Sequence, residues 1–180
     1  MGAEQWDTEE NVVRRTSLND ADCPVARALD AIGDWWSLLI IRDAFDCVTR
    51  FNEFQKGLGV SKGILATRLQ NLTALGILET APAPDGSAYQ EYILTSKGRD
   101  LFPVVVGLRQ WREDYCFAAD EPHSALVESE TGKRVGRLEL KSKTGRVLTA
   151  SDTAVKKVIY PRPRRTRHRA PAHAASRGTN

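Results

Sequence analysis

The chain has 180 residues, of which 41% are hydrophobic and 27% charged, and its formal net charge is +3. That is room for one globular domain with appendages, and no apolar run reaches membrane-spanning length, because WWSLLII at 35–41 is closed by Arg42 and Asp43. Residues 161–180 carry six arginines and no acid, so setting that +6 aside leaves −3 over residues 1–160 and excludes a uniformly basic body.

The chain opens on MGAEQWDTEE, acidic and without the apolar core of a secretory signal. Cys23, Cys47 and Cys116 accordingly read as thiols of a reducing cytoplasm, the last two as ordinary buried or partly buried ones. Residues 1–22 hold six acids, two arginines and few apolar groups, and read as a flexible acidic arm. Order begins at Cys23-Pro24, because proline is tolerated in a first helical turn, where its missing N–H is an orphan anyway. Val25, Ala28, Leu29 and Ile32 then form a helical stripe. Gly33 interrupts it, and Asp34 can cap a second helix bearing Trp35, Leu38, Leu39, Arg42 and Phe45 at helical spacing. The adjacent tryptophans point about 100° apart on a helix, one to the core and the other to a second contact surface.

The stretch RFNEFQKGLGVSKGILATRLQNLTAL at 50–75 reads as two short helices, Asn52–Lys56 and Ser61–Leu75, joined by a turn over Gly57–Val60. Ser61 is a natural N-cap. Leu65, Leu69 and Leu72 share one face, while Gly63, Thr67, Gln70 and Ala74 share the opposite one, with Ala66 and Asn71 at its edges. A helix held from behind by leucines, with small and hydrogen-bonding groups in front, suits a DNA major groove. The same pattern describes a surface helix whose polar face meets only water. The residues after Leu75 separate the two possibilities. Gly76 stops the helix, Ile77–Ala83 looks extended, Pro84-Asp85-Gly86-Ser87 is turn chemistry, and Ala88–Leu94 is extended again. A β-hairpin directly after a reading helix is the order of a winged helix.

Thr95-Ser96 can cap a long helix that Pro103 should kink. Leu101, Val104, Val105, Leu108, Trp111 and Tyr115 recur along it at three and four. So long a stripe exceeds what a small winged domain can cover, which points to packing on a second subunit. Packing on the Trp35–Phe45 helix is the intramolecular alternative. Residues 117–125 read as a linker. Thr131-Gly132-Lys133 and Thr144-Gly145-Arg146 mark two small hairpins over 125–158, and from Pro161 the Pro, Arg, Ala and Ser content reads as a disordered tail.

For base reading the sequence offers Ser61, Lys62, Gly63, Thr67 and Gln70, with Arg68 and Asn71 on the flanks of the same helix. Arg68 points off the reading face, toward a phosphate or a bracing role. Arg50, Lys97 and Arg99 are candidate phosphate contacts, which set register rather than sequence. Enzyme readings fail on inventory: of three histidines, His168 and His173 lie in the tail and His123 in the linker, and no Gly-x-Ser-x-Gly, Walker loop or zincin spacing occurs. No His/Cys cluster supports a metal.

Cys23-Pro24, Ala28-Leu29, Ile32-Gly33, Trp35, Leu38 to Arg42, Arg50-Phe51-Asn52-Glu53-Phe54, Ser61-Lys62, Leu65, Arg68-Leu69, Leu72 and Gly76-Ile77-Leu78 stand in one order. Glu91-Tyr92, Leu94-Thr95, Lys97-Gly98-Arg99 and Leu101…Pro103 complete the set. In these residues the run from Cys23 to Cys116 resembles the HxlR-type family of bacterial winged-helix transcription regulators, within the MarR-like superfamily. The resemblance implies a homodimer on a two-fold related operator, with the first helix and the terminal helices in the dimer contact. It also marks departures. The wing lacks its usual cations and reads Glu79-Thr80 and Ser87-Ala88-Tyr89-Gln90, leaving Ser87 and Gln90 as hydrogen-bonding wing residues. The turns of the 125–158 extension lack the Cys-x-x-Cys-like knuckles of some relatives, so a structural zinc has no ligands there. Relatives with a cysteine at the position of Cys23 include thiol-based sensors, and a thiolate at a helix N-terminus is stabilised by the helix dipole.

The sequence thus points to an α+β, mainly α chain: a winged helix-turn-helix at 23–116 with a long C-terminal dimerisation helix (Leu101, Val105, Leu108, Trp111, Tyr115) and a small β-hairpin extension. The expected function is a sequence-specific, cytoplasmic transcriptional regulator, repressor or activator. Its partners are double-stranded DNA and a second copy of itself; no membrane, metal or cofactor is expected, and a small-molecule or thiol signal is left open. The alternative is a degenerate winged domain for protein assembly that holds nucleic acid nonspecifically through its tail.

Overall fold

The computed structural model describes residues 17–118 and 121–157. The expected acidic arm falls mostly at 1–16, and the Arg-rich tail at 161–180, both outside the described residues. The end of the arm is not loose: the Ser17 hydroxyl donates to Asp30 Oδ2 at 2.8 Å and Arg27 Nε donates to the Ala21 carbonyl at 2.6 Å, so residues 17–22 fold back on the first helix.

Helix α1 (Pro24–Ile32) starts with Pro24 in its first turn and Cys23 as an N-cap that makes no side-chain capping bond. Of its stripe only Ile32 is buried; Val25 and Leu29 remain 65% and 49% exposed. Asp34 caps α2 (Trp35–Phe45), accepting from the Ser37 N–H at 3.0 Å and the Ser37 hydroxyl at 2.5 Å. The buried face of α2 is not the expected Trp35, Leu38, Leu39, Arg42 stripe. It is Ser37, Ile40, Ile41 and Asp43, with Arg42 forking onto the Asp43 carboxylate at 2.6 and 2.9 Å. An apolar helix offers more than one burial face, and the neighbours decide. Trp36 packs against the core and Trp35 is 73% exposed, the division expected of adjacent positions.

Helix α3 (Phe51–Leu58) is longer than the expected 52–56 at both ends, and buries Phe54 completely. Gly57 and Leu58 belong to it, which confines the turn to Gly59-Val60. Helix α4 (Lys62–Ala74) begins at its Ser61 N-cap, whose hydroxyl accepts from the Ile64 N–H at 3.3 Å. Its Leu65, Leu69 and Leu72 are fully buried, each stabilising the fold by about 1.5–3 kcal/mol relative to exposure. Gly76, at φ 65°, supplies the left-handed residue that ends the helix.

Strands β1 (Leu78–Pro82) and β2 (Gln90–Leu94) pair antiparallel, Leu78 opposite Leu94 and Pro82 opposite Gln90, and make the wing. The Tyr92 N–H reaches back to the Thr49 carbonyl at 2.8 Å, fixing the wing to the segment that enters α3.

The long helix expected after Thr95 is two helices. A single turn, α5 (Ser96–Arg99), ends at Asp100, and α6 (Phe102–Tyr115) then runs for 14 residues. Pro103 sits in the first turn of α6 rather than kinking a continuous helix, because that turn is where a residue without N–H costs least. The break lets α5 tuck under the wing. A Cβ placed on Gly98 would lie 2.2 Å from the Ile77 carbonyl oxygen, so only glycine permits this approach. Phe45 of α2 meets Phe102 of α6 with ring centroids 5.0 Å apart.

The extension holds two tight turns, one closed by the Val127–Arg134 bridge, the other joining strands β3 (Leu140–Lys141) and β4 (Val147–Leu148). It is anchored on α6. The Gln110 side chain, 8% exposed, donates to the Gly136 carbonyl at 2.9 Å and accepts from the Leu138 N–H at 2.8 Å. Arg137 forks onto Asp114 beside it. Among the described residues no helix is long and apolar enough to cross a membrane.

Candidate nucleic-acid interface

Ser61, Lys62, Gly63, Ile64, Thr67, Gln70, Asn71 and Ala74 form the exposed side of α4. The helix is held by its buried leucines against α2 and α3, so this face cannot roll. Gln70 and Asn71 make no side-chain hydrogen bond to other described residues, which leaves both amides open to a partner. A Cβ at Gly63 would meet nothing within 4 Å, so the backbone there faces open space. Thr67 differs from expectation in one respect. Its hydroxyl donates to the Gly63 carbonyl at 2.9 Å, so the side chain presents its methyl group rather than a free donor.

The cations expected to touch phosphate each make a contact within the chain, while Lys97 and Arg99 stay exposed at the surface. Arg68 lies with Nε 3.1 Å from Asp34 Oδ1, bracing α4 against the cap of α2. Lys97 Nζ donates to the Leu75 carbonyl at 2.6 Å, closing the C-terminal end of α4. Arg99 donates to the Leu94 carbonyl at 2.6 Å and to Ser96 Oγ at 3.2 Å. Arg50 bridges to the wing, meeting Asp85 Oδ2 at 2.6 Å and Glu91 Oε1 at 3.2 Å. The reason is common to all four. These cations stand at helix ends or chain crossings, where orphan carbonyls or carboxylates face them. Lys62 is an exposed cation at the N-terminal end of the open face of α4.

At the wing tip, the Ser87 N–H donates to Asp85 Oδ1 at 3.0 Å. The nearby Ser87 hydroxyl, the Arg50 guanidinium and the Ser87 N–H hold the Asp85 carboxyl well below the usual carboxylate range. Ser87 is thus tied into the turn through its N–H. Gln90 is exposed at the start of β2.

The expected dimer set splits. Leu101 and Val105 pack against the core of the same chain. Leu108, Trp111 and Tyr115 are 50%, 59% and 73% exposed, and the Trp111 and Tyr115 rings lie 6.0 Å apart. Val104 on α6, Val25 and Leu29 on α1, and Trp35 on α2 are exposed as well. Sequence periodicity had no means of separating the two faces of α6, because the extension that covers Val106 and Gln110 lies far along the chain. Cys23 is exposed; Cys47 is exposed too, with a left-handed φ of 63°, and is not the buried thiol expected.

A leucine-backed helix presenting an open polar face, followed at once by a two-stranded wing, defines a winged helix-turn-helix DNA-binding protein. The HxlR-like helix-turn-helix family matches residues 31–120. The uncharacterised HTH-type transcriptional regulator MT3179 of Mycobacterium tuberculosis is 35% identical over 126 residues, covering 70% of this chain and 80% of the relative. The crystal structure of PA1607, a candidate transcription factor, superposes with a TM-score of 0.74 at 56% identity, over 78% of this chain and 99% of that one. A second candidate transcription factor, PA1374 from Pseudomonas aeruginosa, gives a TM-score of 0.54 at 32% identity, over 76% and 92% of the two chains. The chain belongs to the HxlR-like helix-turn-helix family and is a transcriptional regulator of the helix-turn-helix type.

Proposed function

We propose that the chain acts as a homodimer on a two-fold related operator, with α4 of each copy in a major groove. The observation that carries this reading is the division of α4 into three fully buried leucines and an open face running from Ser61 to Asn71. Lys62, Gln70 and Asn71 supply hydrogen-bonding groups to base edges. Gly63 lets backbone approach the DNA. With Arg50, Arg68, Lys97 and Arg99 engaged within the chain, their role is to fix the helix and wing, and sequence discrimination falls on α4. Gln90 supplies the wing with an exposed amide.

The dimer surface is the apolar set left open on α1, α2 and α6: Val25, Leu29, Trp35, Leu108, Trp111 and Tyr115. A monomer that leaves so many large apolar side chains on neighbouring helices has a partner surface to fill. Cys23, exposed at the N-cap of α1, stands beside this surface in sequence, and we propose its oxidation as a signal that releases the operator.

Footprinting on the DNA flanking its own gene, together with sedimentation of the free protein, tests the proposal. The expected result is a protected site of two-fold symmetry and a dimer that Leu108→Glu converts to monomer. Sequence-blind protection that vanishes on deleting residues 161–180 would show instead that the tail holds nucleic acid and that α4 reads nothing.

A further inference from the structure

One side chain on the exposed side of α4 does not fit a polar reading face. Ile64 is 43% exposed, in the first turn of the helix, next to the open backbone at Gly63. It precedes the buried Leu65 by one residue, which turns it about 100° from the leucine stripe. Its amide is already satisfied by the Ser61 hydroxyl, so only the hydrocarbon is left to interact. Thr67 stands three residues on, a neighbour on the helix surface. Its hydroxyl proton is committed to the Gly63 carbonyl, so the side chain offers a methyl group and no donor. Ile64 and Thr67 thus form a small apolar pad between Lys62 at one end and Gln70 and Asn71 at the other. Both are β-branched, with few rotamers to lose on contact.

We infer that this pad reads the C5-methyl group of a thymine in each operator half-site. Among the base edges of the major groove, that methyl is the one apolar feature, and the first turn of a recognition helix is where base contact concentrates. An apolar pad that left the groove edge unoccupied would only expose hydrocarbon to water, whereas a thymine methyl buries it. Thymine over cytosine is the discrimination this contact supplies, while Lys62, Gln70 and Asn71 supply hydrogen bonds on either side. The inference rests on α4 being the DNA-reading helix.

The test uses the full chain and duplexes enriched by it from a randomised library, with each thymine replaced in turn by deoxyuridine. That change removes the methyl and leaves every hydrogen-bonding group in place. The wild-type protein should lose about fourfold in affinity at one thymine per half-site, the value of one buried methyl. Ile64→Ala, whose exposed position spares the core, should bind the thymine and uracil duplexes equally at that position. The inference is overturned if uracil costs the wild-type protein nothing at any position, or if Ile64→Ala stays as methyl-sensitive as the wild type. Failure of the wild-type chain to enrich any sequence overturns the DNA-reading assignment itself, and the thymine contact with it; circular dichroism of Ile64→Ala confirms that a loss is not unfolding.

Discussion

Arg50 and Asp85, 35 residues apart in sequence, meet at 2.6 Å and tie the start of α3 to the tip of the wing. Arg50 also reaches Glu91 at 3.2 Å, so one guanidinium holds both the turn and the second strand. The wing, which has no cation of its own between Leu78 and Leu94, therefore receives one from the helix-turn-helix, and its orientation is coupled to the entry of α3. Asp85 titrates below its ordinary range, which sets the sign of the pH effect. The pair contributes in full above the unfolded carboxylate value of about 4, and the contribution declines as pH falls toward the depressed folded value. The stability difference between wild type and Asp85→Asn should be constant from neutral pH to about 5 and shrink below about 4. Urea unfolding across that range checks it; a difference independent of pH would show that the contacts of the Asp85 carboxylate to Ser87 and Arg50 are not formed in solution.

Gly98 lets α5 lie against the start of β1, with no room for a methyl group beside the Ile77 carbonyl at 2.2 Å. The obstacle is backbone, which moves only with the strand. Gly98→Ala should destabilise the fold by about 1–3 kcal/mol, read as a lower midpoint in chemical denaturation with unchanged slope. A neutral substitution would mean that α5 is not docked as described.

Gln110 fastens the extension to α6 by two hydrogen bonds to backbone, at 2.9 and 2.8 Å. Replacing it with leucine keeps the bulk and removes both bonds from these partly buried backbone groups. Gln110→Leu should speed hydrogen exchange at Leu138 by tenfold or more, a loss of about 1.4 kcal/mol in the free energy of opening, while the amides of α4 keep their protection. Equal loss in both regions would make the extension part of the same cooperative unit.

Cys23 caps α1 through its backbone alone and is exposed. If its oxidation is the signal, Cys23→Ser should keep operator affinity under reducing conditions and abolish release by mild oxidant. Unchanged release from the Ser variant, with Cys47 and Cys116 intact, would assign the response elsewhere.

Helix α4 was legible because its information is local. Ser61, the leucines at 65, 69 and 72, and Gly76 specify start, buried face and stop within 16 residues, and α4 departs from the expected span by one residue at each end. The wing was legible for the same reason, from turn residues between two extended runs. What could not be read was set by distant chain. Arg50, Lys97 and Arg99 look like free cations until the carboxylates and carbonyls opposite them are in place. The buried face of α2 depends on which side α4 and the wing occupy, so Ile40 and Ile41 displaced the Trp35 and Leu39 stripe. The two faces of α6 separate only when residues 136–138 cover Gln110. The hydroxyl of Thr67 was expected to face DNA, but a helical threonine finds the carbonyl four residues back without leaving its own turn.

On the reading proposed above, the exposed face of α4 discriminates sequence. The most direct measurement is the ratio of affinities for a selected site and a scrambled duplex, at one fixed salt concentration, for the wild type and Gln70→Ala. Removing one base-edge contact worth about 1–3 kcal/mol should lower that ratio by about tenfold, with binding to the scrambled duplex unchanged. A ratio that stays at the wild-type value in Gln70→Ala, in Asn71→Ala and in the double variant would contradict the assignment of α4 as the reading element.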